Sequence, residues 1–216
     1  GFHRVITKNL SRQDSYVEAL LKEWSVKIQN AFNGPFPRIN SIHFGGGTPN
    51  FLSPENFEKL VTHLTQGGRT PHFIGAIEID PRTIKEDHLT TFQRLGLTRI
   101  SLGIQDFDAR VQTEIKRIQP YPLIEALFNT LRTLNFESIN FDLIYGLPAQ
   151  TEATIQDTFE KVLTLGPDHI AFYSYAHLPG KLKNQLLIKE NLLPRGVDKF
   201  KLFMRARSLL KVSSYV

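Results

Sequence analysis

The sequence predicts an α/β fold on a parallel sheet, arranged as a barrel or part-barrel in preference to an open doubly wound sheet. Three observations predict it. Short apolar runs alternate regularly with amphipathic helical stretches. Several of those runs are continuously apolar, as strands covered by helices are. Polar residues gather at the C-terminal ends of the runs, where parallel α/β folds bind ligands.

The elements follow in order. Arg12 to Phe32 reads as a helix, with Tyr16, Leu20, Trp24 and Ile28 on one face and Ser11 as N-cap. Gly34-Pro35 and Pro37 break the chain, and "SIHF" is a strand leading into Gly45-Gly46-Gly47-Thr48. Ser53-Pro54-Glu55 starts a helix, a cap residue followed by proline at the first helical position. "FIGAIEID" is the next strand, closed by Pro81, with a helix from about Thr83 to Arg94 that ends at Gly96. "TRISLGIQDF" is the third strand, and Asp108 caps a helix through Ile115. A helix from Leu123 to about Leu134 precedes the fourth strand, "SINFDLIYGLP". Thr151 to Leu165 is its helix, stopped by Gly166-Pro167, and "HIAFYSYAHLP" is the fifth strand. The remainder reads as helices over "KNQLLIKENLL" and "VDKFKLFMRARSLL".

Composition narrows the class. The 216 residues suffice for one sizeable core, and 41% hydrophobic with 22% charged residues is the balance of an ordinary globular protein. No apolar run approaches a bilayer-spanning length and no signal pattern opens the chain, so a cytoplasmic location is expected. The net charge of +5 suits an acidic partner. The basic residues are nevertheless scattered, which reads as a solvated surface and not as a nucleic-acid footprint. With zero cysteines there are no disulfides and no thiolate metal ligands in these residues.

The strand ends carry the chemistry. Glycines there serve one of two purposes: backbone groups touching a ligand directly, or a tight turn and close packing. Glu78 and Asp80 stand at i and i+2 on one strand face. They fit an ammonium or ribose hydroxyls, or salt bridges to arginines such as Arg99 or Arg117. Gln105 and Asp106 end the third strand; Asp142 and Tyr145-Gly146 mark the fourth, and Tyr175-Ala176-His177 the fifth. His43 and His177 lack metal-ligand spacing and read as hydrogen-bonded histidines, so no metal site is expected. No nucleophilic triad, P-loop or dinucleotide fingerprint is present. The residues reach a polar small-molecule site on a barrel rim.

Taken together and in this order, "HFGGGTPNFL", "AIEIDPRT", "RISLGIQDF", "NFDLIYGLPAQT" and "YSYAHLP" resemble the oxygen-independent coproporphyrinogen III oxidase family. This is a radical S-adenosylmethionine (SAM) group, and the resemblance runs to about Pro194. It implies an incomplete (β/α) barrel, parallel strands inside and helices outside, whose first strand leads to a Cys-x-x-x-Cys-x-x-Cys loop holding a [4Fe–4S] cluster that binds SAM. "GFHRVIT" resembles the segment directly after the third of those cysteines. The cluster ligands are therefore expected upstream of Gly1, with residues 1–180 as the partial barrel lacking its first strand and cluster loop. Residues 181–216 are then a helical segment leading toward a further C-terminal domain. The chain alone is expected to be inactive.

Carried over residue by residue, the resemblance implies that Gly46 and Gly47 let the main chain approach the methionine end of SAM, with Thr48 as a further contact. Glu78 matches a carboxylate contacting the ribose or amino acid. Gln105, Arg117, Asp142 and Ala176 match positions lining the cofactor cavity, which in the oxidase accommodates a second SAM. No catalytic residue is singled out. The implied reaction converts coproporphyrinogen III propionates to vinyl groups, giving protoporphyrinogen IX in heme biosynthesis. The partners are then a porphyrinogen substrate and an electron donor, with no nucleic acid and no membrane span, and the protein a monomer. The alternative is a haem-binding chaperone of a sister group, which often carries phenylalanine where Phe2 stands and the oxidases have cysteine. "YAHLP" and "HRVIT" look more like the oxidase.

Overall fold

Several helices start and stop where the sequence supplies a cap or a glycine. The computed structural model describes Asn9, residues 11–32, residues 34–213 and Tyr215. The expectations placed on Gly1 to Thr7, Phe2 among them, lie outside the described residues. Helix α1 spans Arg12–Phe32 and strand β1 spans Ile39–Phe44. A short 3-10 turn at Pro49–Phe51 follows, and then α2, Pro54–Leu64. The Ser53 hydroxyl accepts from the Asn56 amide at 3.3 Å, with Pro54 in the first turn of α2. Strand β2 is Arg69–Ile79 and helix α3 is Glu86–Arg94. Gly96 turns the chain at φ 73° into β3, Arg99–Gln105.

Helix α4 is Ala109–Glu114, capped by Asp108, whose carboxylate accepts from the amides of Arg110 and Val111 at 2.9 Å each. Then come α5, Tyr121–Thr133, and β4, Ser138–Tyr145. Helix α6, Glu152–Leu165, opens on a reciprocal capping box between Thr151 and Thr154 and closes on left-handed Gly166. Strand β5 is His169–Ser174, and α7 is Gly196–Val212. The hydrogen-bonded strand order is β1-β2-β3-β4-β5; β1 pairs parallel with β2 and β4 parallel with β5.

The described residues fall into two compact units: those up to Ser101 together with Leu131–Glu137, and Leu102–Thr130 together with Ser138 onward. In the first, Phe57 packs edge-to-face between Phe44 and Phe92, with Val61, Ile77 and Leu97 fully buried. Gly75 of β2 lies against the backbone at Gly96, where a Cβ would come within 2.2 Å of the Gly96 carbonyl oxygen. In the second, Leu102 and Ile104 of β3 and Ile139, Phe141 and Leu143 of β4 are buried, while Gly103, Gln105, Asn140 and Asp142 on the alternate positions are half-buried. Phe172 meets Phe159 of α6 and Phe203 of α7.

Three expectations are corrected. In α1 the buried stripe is Gln13, Val17, Leu21 and Ile28, and Tyr16 is exposed. The apolar residues of that helix admit two faces one residue apart, and Gln13, bonded through Oε1 to the Ser53 amide at 2.7 Å, selects between them. Helix α3 begins at Glu86 and not at Thr83, because the amides of Thr83 and Ile84 both turn back to the Asp80 carbonyl. "KNQLLIKENLL" forms two 3-10 turns, Lys183–Leu187 and Glu190–Leu192, and no α-helix. Leu186 and Leu187 stay about 70% exposed there, so no apolar face is buried to offset the cost of a helix. Among the described residues no helix is long and apolar enough to cross a membrane.

Candidate functional site

The first strand end is shaped by side chains that are absent. After β1 the chain passes through Gly45, Gly46 and Gly47, and each lacks a Cβ for its own reason. A Cβ on Gly45 would lie 2.6 Å from His43 Nε2 and 2.8 Å from Glu78 Oε1, so this glycine leaves room for the His43–Glu78 pair. Those two atoms are 3.5 Å apart on half-exposed side chains. Gly46 and Gly47 both sit at left-handed φ, 75° and 61°. The Gly46 amide donates to Glu78 Oε2 at 3.0 Å. Around Gly47 a Cβ would meet nothing within 4 Å, so the backbone there is open to an approaching group. Close packing thus accounts for Gly45, while Gly47 stands in open space.

Thr48 caps the 3-10 turn through its backbone and makes no side-chain cap bond, leaving its exposed hydroxyl pointed away from that task. Asn50, which the sequence reading passed over, latches this loop to the end of β2. Its Oδ1 accepts from the Asp80 amide at 2.8 Å and its Nδ2 donates to Thr83 Oγ1 at 2.9 Å. Glu78 and Asp80 part company here. Asp80 lies one residue past β2 and is gripped by Arg82, with Nε at 2.9 Å and Nη2 at 2.6 Å. Asp80 thus makes an arginine salt bridge, with Arg82, whereas Glu78 pairs with His43, and Arg99 lies 4.0 Å from Glu137.

The third strand end, in the other unit, is shaped by buried polar side chains. Gln105 has φ 68°, and the Asp106 amide bonds the Ile104 carbonyl at 2.9 Å across it, a left-handed γ-turn. Gly103 makes room for what gathers above it: a Cβ there would lie 2.8 Å from Gln105 Nε2 and 3.2 Å from Arg117 Nη2. Arg117 Nη2 donates to the Gly103 carbonyl at 3.0 Å. Asp142 accepts from Asn140 Nδ2 at 2.8 Å. Beneath the turn, fully buried Asp106 accepts from the Asp108 amide at 2.7 Å, Thr158 Oγ1 at 2.9 Å and Gln150 Nε2 at 2.6 Å. Burial pushes its pKa up to about 6 against the opposing pull of those three donors.

After β5 the backbone is clamped by one amide. Gln185 Nε2 donates to the Ala176 carbonyl at 3.0 Å and its Oε1 accepts from the Leu178 amide at 2.5 Å. Lys199 Nζ donates to the Tyr175 carbonyl at 2.6 Å, passing over Gly146, where a Cβ would meet its chain at 2.5 Å. His177 bridges Tyr175 and Glu190, at 3.2 and 3.3 Å, and is an ordinary hydrogen-bonded histidine. A cleft of about 420 Å³ lies at the opposite end of β5, between His169 and Tyr215, away from these groups. Among the described residues no cluster of three or more His, Asp or Glu could hold a metal ion.

A five-stranded α/β sheet with glycine-defined and carboxylate-lined strand ends is the frame of a small-molecule enzyme, and comparison supplies the class. Residues 17–162 match the Radical SAM superfamily, and the chain belongs to it. Relatives called oxygen-independent coproporphyrinogen III oxidase include those of Bradyrhizobium diazoefficiens, 40% identical over 100% of this chain and 48% of the relative, and Helicobacter pylori, 38% identical over 93% and 44%. The solved coproporphyrinogen III oxidase of Escherichia coli, described as a radical SAM enzyme, matches 99% of this chain and 49% of its own at TM-score 0.91 and 33% identity. The fold is accordingly the partial (β/α) barrel of the radical SAM type. The chain spans about half the length of the relatives it matches.

Membership implies SAM and a [4Fe–4S] cluster. The residues present are compatible with SAM: Gly46 and Gly47 hold left-handed backbone, the Gly46 amide bonds Glu78, and the space around Gly47 is open. They do not fit the cluster, since this sequence contains no cysteine to bind it.

Proposed function

We propose that the protein serves the oxidative decarboxylation of coproporphyrinogen III propionates to vinyl groups, with this chain contributing residues that bind SAM. Each propionate would lose one hydrogen atom to the SAM-derived radical, CO2, and one electron to an electron acceptor, and two such conversions give protoporphyrinogen IX. The observation that carries the reading is the first strand end, where two consecutive left-handed glycines leave backbone open beside a half-exposed carboxylate. Bound SAM would supply the hydrogen-abstracting radical typical of the superfamily.

The chain's own residues bind and orient. Gly46 and Gly47 admit the methionine end, with the Thr48 hydroxyl as a further contact. Glu78 accepts from an ammonium or ribose hydroxyls, as a half-exposed carboxylate already fixed by the Gly46 amide can. Gln105, Arg117 and Asp142 offer an amide, a guanidinium and a carboxylate to a SAM molecule, and Ala176 offers backbone. A substrate with four carboxylates suits the net charge of +5. An electron donor, a monomeric state and a cytoplasmic location complete the proposal.

The native-length gene product, reconstituted anaerobically with iron, sulfide and a reductant, tests it. Protoporphyrinogen IX formed from coproporphyrinogen III with stoichiometric SAM cleavage is the expected result. SAM cleavage without that product would send the search to another substrate. A cluster-loaded protein that does neither would overturn the reading. The 216-residue chain alone is expected to show no iron-dependent absorbance after the same treatment.

A further inference from the structure

Gln105 is one of four non-glycine residues at positive φ among the described residues, and it closes a γ-turn that side chains rarely tolerate. Such a backbone persists only where its surroundings over-determine it. Here they do so three times. Asp106 is held through both carboxylate oxygens by three donors, and the donors are themselves committed. Gln150 Oε1 accepts from the Leu147 amide at 2.9 Å and Nε2 also donates to the Ile144 carbonyl at 2.8 Å, so its amide cannot turn over. Thr158 Oγ1 accepts from the Phe107 amide at 3.1 Å, leaving its proton for Asp106.

Buried Gln119 donates through Nε2 to the carbonyls of Gly103, at 2.9 Å, and Ile104, the residues leading into the turn. Its backbone is in turn tied to Gln112: the Gln119 amide donates to Gln112 Oε1 at 3.0 Å, and Gln112 Nε2 donates to the Gln119 and Asp106 carbonyls, both at 2.9 Å. Five buried polar side chains thus fix one two-residue segment. The Gln105 amide lies beside Arg117 over Gly103, whose carbonyl accepts from both Arg117 and Gln119.

We propose that Asp106 and Gln119 are positioning residues that hold Gln105 in a strained left-handed turn so that its amide is pre-set to bind SAM. The proposal rests on the SAM reading above. The same groups also tie the Gln112–Gln119 and Ile144–Gln150 segments to the turn, so buried polar groups, which are costly unless bonded, are concentrated around this one residue. A pre-set amide loses less freedom when a ligand arrives.

Two measurements on the native-length protein test it. The first is melting. Gln105→Gly and Gln105→Ala both delete the side chain, and at an unstrained site the alanine variant melts higher. Here the glycine variant should melt higher by about 2–4 °C, and the reverse order would refute the strained turn. The second is SAM affinity by titration calorimetry. Asp106→Asn keeps the shape but presents an N–H to one of three fixed donors, and should weaken SAM binding about tenfold. In a Gln105→Ala background the same change should have no further effect, since it acts through Gln105. An equal loss in both backgrounds, in folded protein, overturns the proposal. Gln119→Met, run through the same cycle, decides the matter if Asp106→Asn does not fold. Wild-type protein that binds no SAM overturns the SAM reading itself, while the melting order still judges the turn.

Discussion

The loop after β1 and the loop after β3 both hold left-handed backbone at a strand end, and they achieve it by opposite means. After β1 three glycines supply the geometry, the neighbouring His43–Glu78 pair is half exposed, and the backbone at Gly47 faces open space. After β3 a glutamine occupies the left-handed position, and a buried carboxylate and four further buried polar side chains bond the segment around it. The difference follows from what each loop presents. A loop that offers its own backbone needs side chains removed, and glycine does this at an entropic cost alone. A loop that offers a side chain cannot use glycine, so the strain must be offset by bonds underneath.

That contrast can be broken by experiment. Asp106→Ala should be the most damaging change, since it strands the Asp108 amide, Thr158 Oγ1 and Gln150 Nε2 in the core. A loss of about 3 kcal/mol or more in urea unfolding is expected, and a loss below about 1 kcal/mol would show that the second loop does not depend on its underside. Gly75→Ala should cost about 2–3 kcal/mol, because the obstacle is the Gly96 backbone and not a movable side chain. An unchanged midpoint would mean that the first unit relaxes more easily than its close approach of β2 to Gly96 suggests.

The second loop carries a pH dependence of its own. With Asp106 pushed up to about 6, the native state keeps its proton over a range where the unfolded chain has lost it. The contribution of this group is therefore greatest at low pH and declines as pH rises from about 4 to 6, then stays level. Asp108 is the charged neighbour that reinforces the direction. Wild-type stability relative to Asp106→Asn should fall by about 2 kcal/mol across that window, as followed by melting at stepped pH; a rise would reverse the assignment. Gly47→Ala should cost only about 1 kcal/mol, the penalty of a left-handed alanine with free space around it, yet weaken SAM binding about tenfold. His43→Ala should shift the melting temperature by less than about 2 °C, as its pair is half exposed and screened. A larger shift would show that the first loop also leans on side-chain bonding.

How much of this was legible depended on whether the signal was local. Caps at Ser53, Asp108 and Thr151 and stops at Gly96 and Gly166 act through residues within a turn of one another, and the helix ends they mark were expected where they occur. The face of α1 was not, because its buried stripe is chosen by Gln13 reaching Ser53, a contact 40 residues away. The stretch after Pro179 misled because its leucines have helical spacing, while no partner surface buries them. At the site, Gly46, Gly47, Glu78, Gln105 and Asp142 could be picked out as polar or glycine residues closing apolar runs. Asn50, Gln112, Gln119, Gln150, Thr158 and Gln185 could not, since a glutamine in a loop or on a helix looks solvated until something is placed over it.

Strand and helix order, parallel class and the polar strand ends follow from periodicity and punctuation, which the chain carries in its own near neighbourhood. The partners of the strand-end groups do not. Glu78 was offered an arginine and took His43 with the Gly46 amide, because β1 and β2 lie side by side in a register that no local pattern announces. Asp106 looked like one more rim carboxylate, and folding buried it against residues 44 and 52 positions later in the chain. Local chemistry settles where the chain turns; which polar groups meet is a matter of long-range packing, and at these strand ends that decides which side chains are buried together and which stay half exposed.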